Sequence, residues 1–253
     1  MQTKIHSKNS LPKLGSYLFN FGLMTGLAVM SFGLISCGGG GSSTTTTIGS
    51  TTPTITNIEP VGIVQSSVPQ ALSIAGTNFA SGMTVTVIDS LGGAYTVTLA
   101  SVTSSKVITT NVTIPSAPTD RYVTVAVKSS TGTTLASAVL GVAGTNKTLA
   151  NGIQTIFTNK CATCHTNGAA GSMNLDNATL GGSTGVIGIL SVGCPSRFRV
   201  VPGDPRRASS FLIDKIKATS SNDVCSGNPM PKTTPLLTQE IQDIVDWVAG
   251  GAY

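Results

Sequence analysis

Cys161-Ala162-Thr163-Cys164-His165 carries the most explicit chemistry in the chain. Two cysteines separated by two residues and followed at once by histidine form the pattern that attaches haem covalently. The spacing has a physical reason. Both thiols add to the haem vinyl groups as thioethers, and the adjacent imidazole is then held beneath the iron as proximal ligand. With 5 Cys and 2 His in 253 residues, chance would produce the pattern about once in a thousand such chains. The same cysteines could instead form a dithiol redox pair or half of a zinc site. Zinc needs two further ligands; His6 lies in a leader, so Cys194 and Cys225 would have to supply them. In an oxidising compartment those two are expected to pair with each other as a disulfide, closing a loop for about 3.5 kcal/mol on a chain-entropy basis.

Iron held by one histidine has a sixth position, which a methionine thioether fills in low-spin electron-transfer proteins. The candidates are Met83, Met173 and Met230. Met83 falls in a strand-like stretch and is expected in a core. Met173 is so near His165 in sequence that about 26 Å of fully extended chain would have to round the haem edge, which leaves little slack. Met230 lies between Pro229 and Pro231, whose fixed φ values can hold one sulfur in place, and it is the preferred distal ligand.

The elements that must position these residues fall in two regions. From Pro53 to about Val142, short β-branched runs alternate with Gly, Ser, Pro and Asn: Thr54 to Ile58, Ala71 to Ala75, Met83 to Ile88, Tyr95 to Leu99, Val107 to Val112, Tyr122 to Val127 and Leu135 to Val142. Seven such runs at this spacing predict a β-sandwich. Past Gly144 the period changes. Leu149, Ile153, Ile156 and Phe157 recur at helical spacing and lead into Cys161; further helical patterns cover Ser209 to Lys217 and, from Thr238 as N-cap, Ile241, Ile244, Val245 and Val248 to Gly250.

The N-terminus reads as an address. Lys4, Lys8 and Lys13 precede an apolar run from Tyr17 to Ile35, the pattern of a signal peptide. Leu34-Ile35-Ser36-Cys37 resembles the lipobox of bacterial lipoproteins, which implies acylation of Cys37 and a mature chain anchored by lipid. Gly38 to Gly41 and the Ser/Thr run after them form a flexible tether. The formal charge of +5 includes those three leader lysines; without them 12 basic residues face 10 acidic ones, and this balance gives no reason to expect a nucleic-acid partner.

Two resemblances add to this reading. Ile55-Thr56-Asn57-Ile58-Glu59-Pro60 and Ile74-Ala75-Gly76-Thr77-Asn78-Phe79 resemble the TIG-type immunoglobulin-like domain. Val200-Val201-Pro202-Gly203-Asp204-Pro205, Ser209 to Ile216, Met230-Pro231 and Leu236 through Trp247 to Ala252 resemble, together with the haem motif, the cytochrome c domains of large exported bacterial proteins, planctomycete ones among them. That resemblance implies a small all-α fold, with Cys161 and Cys164 as thioether sites, His165 as proximal and Met230 as distal ligand; Cys194 and Cys225 lie outside its pattern. Arg197, Arg199, Arg206 and Arg207 are candidates for haem propionates, or else solvated surface. The expected architecture is therefore multidomain: a leader (1–36), a lipidated tether (37–52), an all-β immunoglobulin-like sandwich (53–143) and a small all-α cytochrome c domain (148–253). The expected function is one-electron transfer by a single covalent haem c, facing the periplasm or cell surface, with redox proteins and a membrane as partners and no catalysis of its own. A haem-based sensor, a surface-binding lipoprotein, or the electron-transfer subunit of a separate oxidoreductase are the alternatives.

Overall fold

The computed structural model describes residues 52–166, 170–175, 183–218, 225 and 227–253. The expected leader, Cys37 and nearly all of the tether lie outside them. Among the described residues no helix is long and apolar enough to cross a membrane.

Eight strands fill the first half: β1 (Thr54–Glu59), β2 (Gly62–Val64), β3 (Ser66–Thr77), β4 (Thr84–Ile88), β5 (Ala94–Ser104), β6 (Val107–Ile114), β7 (Tyr122–Lys128) and β8 (Thr134–Ala143). Alternation sets their faces: Val85 and Val87 of β4 and Ile108, Val112 and Ile114 of β6 are buried, while Thr109, Asn111 and Thr113 between the β6 residues are more exposed. The strands form one sheet in the order β1-β3-β6-β5-β4-β7-β8-β2. It curls until β1 and β8 approach each other, so that both arms enclose a single core of Val, Ile and Leu side chains. Pro69 falls inside β3 where the pairing with β6 shifts register between Ser66 and Gln70, a place where a missing N–H costs no ladder bond. The expected seven strands are present. The eighth, β2, is only three residues long and pairs in parallel with β8, a pattern too short to carry a period.

The second half departs from expectation. A wide turn at Leu149–Ile153 leads into α1 (Gln154–Lys160); α2 (Phe211–Lys217) and α3 (Thr238–Ala249) follow. These three short helices do not make an all-α cytochrome c domain. Between α1 and α2 the chain forms a hairpin of β9 (Leu190–Ser191) and β10 (Cys194–Phe198), extended by bridges Ile187 to Val200 and Phe198 to Ser210. Val186, Ile187, Ile189 and Phe198 to Val201 supply the β-forming side chains for this region, so the chain is mostly β with helices added to it.

Nor does the helical region stand apart from the sheet, as the expected multidomain arrangement required. Residues Ile48–Tyr253 form one compact unit, with α3 laid against β8. One side of α3 (Ile244, Val245, Trp247, Val248) fills the second core with Ile153, Phe157 and Ile213. Its Asp246 faces the sheet and accepts from Arg121 Nε (2.6 Å), the Gly144 N–H (3.1 Å) and Thr145 Oγ1 (3.1 Å). The approach is so close that a Cβ on Gly62 or Gly141 would strike the Ala249 carbonyl oxygen. The helix starts one residue earlier than the expected Thr238 cap: Leu237 is the cap residue, and its N–H is taken by Glu240 Oε2 at 2.7 Å.

Asp214 of α2 is buried and receives Arg197 Nη1 (2.8 Å) and Arg207 Nε (2.8 Å). Burial pushes its carboxyl upward, but the two guanidinium hydrogen bonds outweigh this and hold it below the usual carboxylate range. A depressed carboxylate contributes stability that is full above its unfolded value near 4 and is lost as pH falls through the folded value. Unfolding curves of wild type and Asp214→Asn are therefore expected to differ by a constant amount above about pH 5 and to converge below about pH 4. A gap that stays constant down to acid pH would contradict this.

Candidate functional site

The chemistry begins where α1 ends. The Cys161 N–H closes the last turn on the Phe157 carbonyl at 2.9 Å, and the N–H groups of Cys164 and His165 return to the Cys161 carbonyl at 3.2 and 3.0 Å. Both thiols and the imidazole thus lie on one continuous tight turn. Its platform is rigid: the Phe157 ring meets Trp247 of α3 edge to face, centroids 5.7 Å apart, and the Trp247 indole N–H donates to the Tyr253 carbonyl at 3.0 Å. Cys161 is half-buried against the second core, whereas Cys164 is exposed.

His165 is oriented by the segment that follows it. Its Nδ1 lies 2.8 Å from the Ala170 carbonyl oxygen. A carbonyl only accepts, so Nδ1 is the donor of this bond, which leaves Nε2 as the nitrogen free to ligate iron. The Ala170 N–H in turn binds the Cys164 carbonyl (3.2 Å), and Leu175 N–H binds the His165 carbonyl (2.7 Å), which folds the chain back over the motif.

The structure separates the three methionines. Met83 packs on the sheet core, in line with its expected structural role. Met173 packs against the same core as Cys161. Met230 belongs to another segment: its N–H binds the Lys215 carbonyl at the end of α2 (2.9 Å), while Lys215 Nζ holds the Gly227 carbonyl at 2.9 Å. Upstream in that segment, Cys225 is bonded to Cys194 of β10, with Cα atoms 5.1 Å apart.

Of the four arginines weighed for propionates, two are far from solvated surface. Arg199 is only 4% exposed and donates to the carbonyls of Gly185 (2.5 Å), Gly171 (3.0 Å) and Ser172 (3.1 Å). Burial lowers its guanidinium from the ordinary value. Arg197 spends Nη1 on Asp214 and lies over the Phe211 ring, yet its buried Nε and Nη2 have no partner among the described residues. Arg206 chelates Asp204, and Arg207 is held by Asp214. Sequence reasoning missed the Arg199 and Arg121 contacts because their partners are distant in the chain and leave no local pattern.

Comparison with known proteins adds little to this geometry. No family model matches the chain, and no curated protein does. Among solved structures, the Lin-41 filamin domain is similar over 37% of this chain and 94% of its own, at 10% identity and a TM-score of 0.28.

Two free thiols and an imidazole on one turn are the groups that covalent haem attachment would use. Among the described residues no group of three or more His, Cys, Asp and Glu converges as a metal-binding cluster, and the thiols a zinc site would need from Cys194 and Cys225 are consumed in their bond. Thiol–disulfide exchange needs a lowered thiol pKa. Burial, and secondarily the Glu240 carboxylate, push the Cys161 thiol up to about 11. Haem-free protein is accordingly expected to alkylate at Cys164 at least about tenfold faster than at Cys161 near pH 8, where a thiol so raised holds little thiolate. Mass-spectrometric counting of alkylated peptides over time checks this; equal rates would show that Cys161 is not shielded as the structure has it.

Proposed function

We infer that this protein is an exported, lipid-anchored electron carrier with one haem attached through Cys161 and Cys164. The observation that carries the reading is the continuous turn that presents two free thiols and an imidazole whose Nδ1 is already bonded to Ala170. Haem supplies reversible one-electron chemistry at its iron when bound. The chain's own residues do the rest. Cys161 and Cys164 would hold the group in both redox states, and His165 Nε2 and the Met230 thioether would serve as its iron ligands. Arg197 offers two buried N–H donors to a haem carboxylate. With His165 and Met230 both taken up as ligands, no coordination site would remain for substrate, which favours a carrier over an enzyme.

The lipid on Cys37 would keep the carrier at a membrane surface facing the periplasm or cell exterior, where its partners are redox proteins. A potentiometric titration of protein matured in an exporting host tests the function. The account expects a single reversible transition with a one-electron slope and no carbon monoxide adduct in the reduced state. Ready carbon monoxide binding would instead place the protein among haem-based sensors.

A further inference from the structure

Arg199 is a buried cation with no carboxylate partner among the described residues, an arrangement that costs free energy unless the charge is tied up by other polar groups. Three backbone carbonyls do so, from two separate segments: Gly185 on one side, Gly171 and Ser172 on the other. The arginine is itself fixed. Its N–H binds the Ile189 carbonyl at 2.8 Å, its carbonyl accepts from Leu212 N–H of α2 at 2.9 Å, and the next residue, Val200, is fully buried in the second core. The segment it grips begins one residue after Ala170, whose carbonyl takes the His165 Nδ1 proton. A planar fork of donors anchored in the core thus sets the position of the acceptor that orients the imidazole.

We propose that Arg199 is a positioning residue for His165: its guanidinium clamps residues 171–172, holds the Ala170 carbonyl against Nδ1, and places a fixed positive charge beside the iron ligand. This rests on the haem reading above. Partners of this kind orient a metal-bound histidine and raise its basicity, and a nearby buried cation favours the less positive, ferrous state of the iron. The two effects separate by substitution. Arg199→Met removes both fork and charge; Arg199→Lys keeps the charge but not the fork geometry.

The test uses the haem-loaded protein, with Lys217→Met as a control that removes an exposed charge elsewhere. Two quantities are read: exchange of the His165 Nδ1 proton by NMR in the diamagnetic reduced state, and the midpoint potential. Arg199→Met and Arg199→Lys are both expected to speed exchange at least about tenfold, as protection by a held carbonyl is lost. The lost charge is expected to place the potential of Arg199→Met below that of Arg199→Lys, and Lys217→Met is expected to change neither quantity. Should Arg199→Met fail to fold or load haem, Arg199→Lys decides by its exchange rate alone. Unchanged exchange in a folded, loaded Arg199 variant overturns the clamp. Wild-type protein without covalent haem overturns the haem reading itself, and the clamp with it.

Discussion

Alanine at both Cys161 and Cys164 is expected to abolish covalent haem retention altogether, while the eight-stranded sheet still folds. Neither thiol is held in a disulfide: Cys164 is exposed and Cys161 lies at the margin of the second core. Their backbone hydrogen bonds, which shape the turn, do not depend on the side chain. A structural role would predict the reverse, with stability falling and pigment unaffected. The two single variants should differ in stability. Cys161→Ala removes a half-buried sulfur that packs on the core and should cost on the order of 1 kcal/mol, whereas Cys164→Ala should cost close to nothing. Pigment retained on denaturing gels, set beside thermal unfolding of the three variants, reads both quantities. Covalent pigment surviving in the double variant would remove these cysteines from the chemistry.

Asp246→Ala should be the most destabilising single substitution outside the cores, at about 3 kcal/mol. Asp246 is 2% exposed, and its carboxylate gathers Arg121 from the sheet, Gly144 N–H and Thr145 Oγ1 from the connection, and Gln242 Nε2 (3.2 Å) from its own helix. Removing it leaves a partly buried guanidinium and a backbone donor unpaired at the seam between the sheet and the helical region. The size of the loss reflects those stranded partners rather than a large net gain from the ion pair itself. Arg121→Met combined with Asp246→Leu should therefore recover part of the loss. Because the seam is shared, wild-type unfolding followed by sheet circular dichroism and by Trp247 fluorescence should give coincident transitions. Two separated transitions would show that the halves are independent after all.

How much of this was legible in the sequence depends on the range of the interaction involved. Strand positions were readable because β-branched runs such as Tyr122 to Val127 alternate at a period that only a half-buried strand explains. The helices were readable too, since Ile153, Ile156 and Phe157 mark one face and Ile241, Ile244, Val245 and Val248 another. The expectation of an all-α second domain failed for a physical reason. Helical periodicity shows that a helix has a buried stripe, but it does not show that its Asp246 and Ala249 side meets a sheet. The β9–β10 hairpin was missed because its strands, of two and five residues, are too short to display a period. Within the site, the Cys161 to His165 motif is local and was fully visible. Arg199 was visible only as a charge, since its role arises from carbonyls 14, 27 and 28 residues away in sequence.

The central claim is that Cys161 and Cys164 carry haem covalently, and one extraction tests it most directly. Protein matured in an exporting host is treated with acidified acetone, and absorbance is recorded in the pellet and the supernatant. The account predicts that the chromophore stays with the protein, and that before extraction its reduced spectrum is that of low-spin haem. Haem released into the acetone, or none in either fraction, would contradict the claim and return the two thiols to metal or dithiol chemistry.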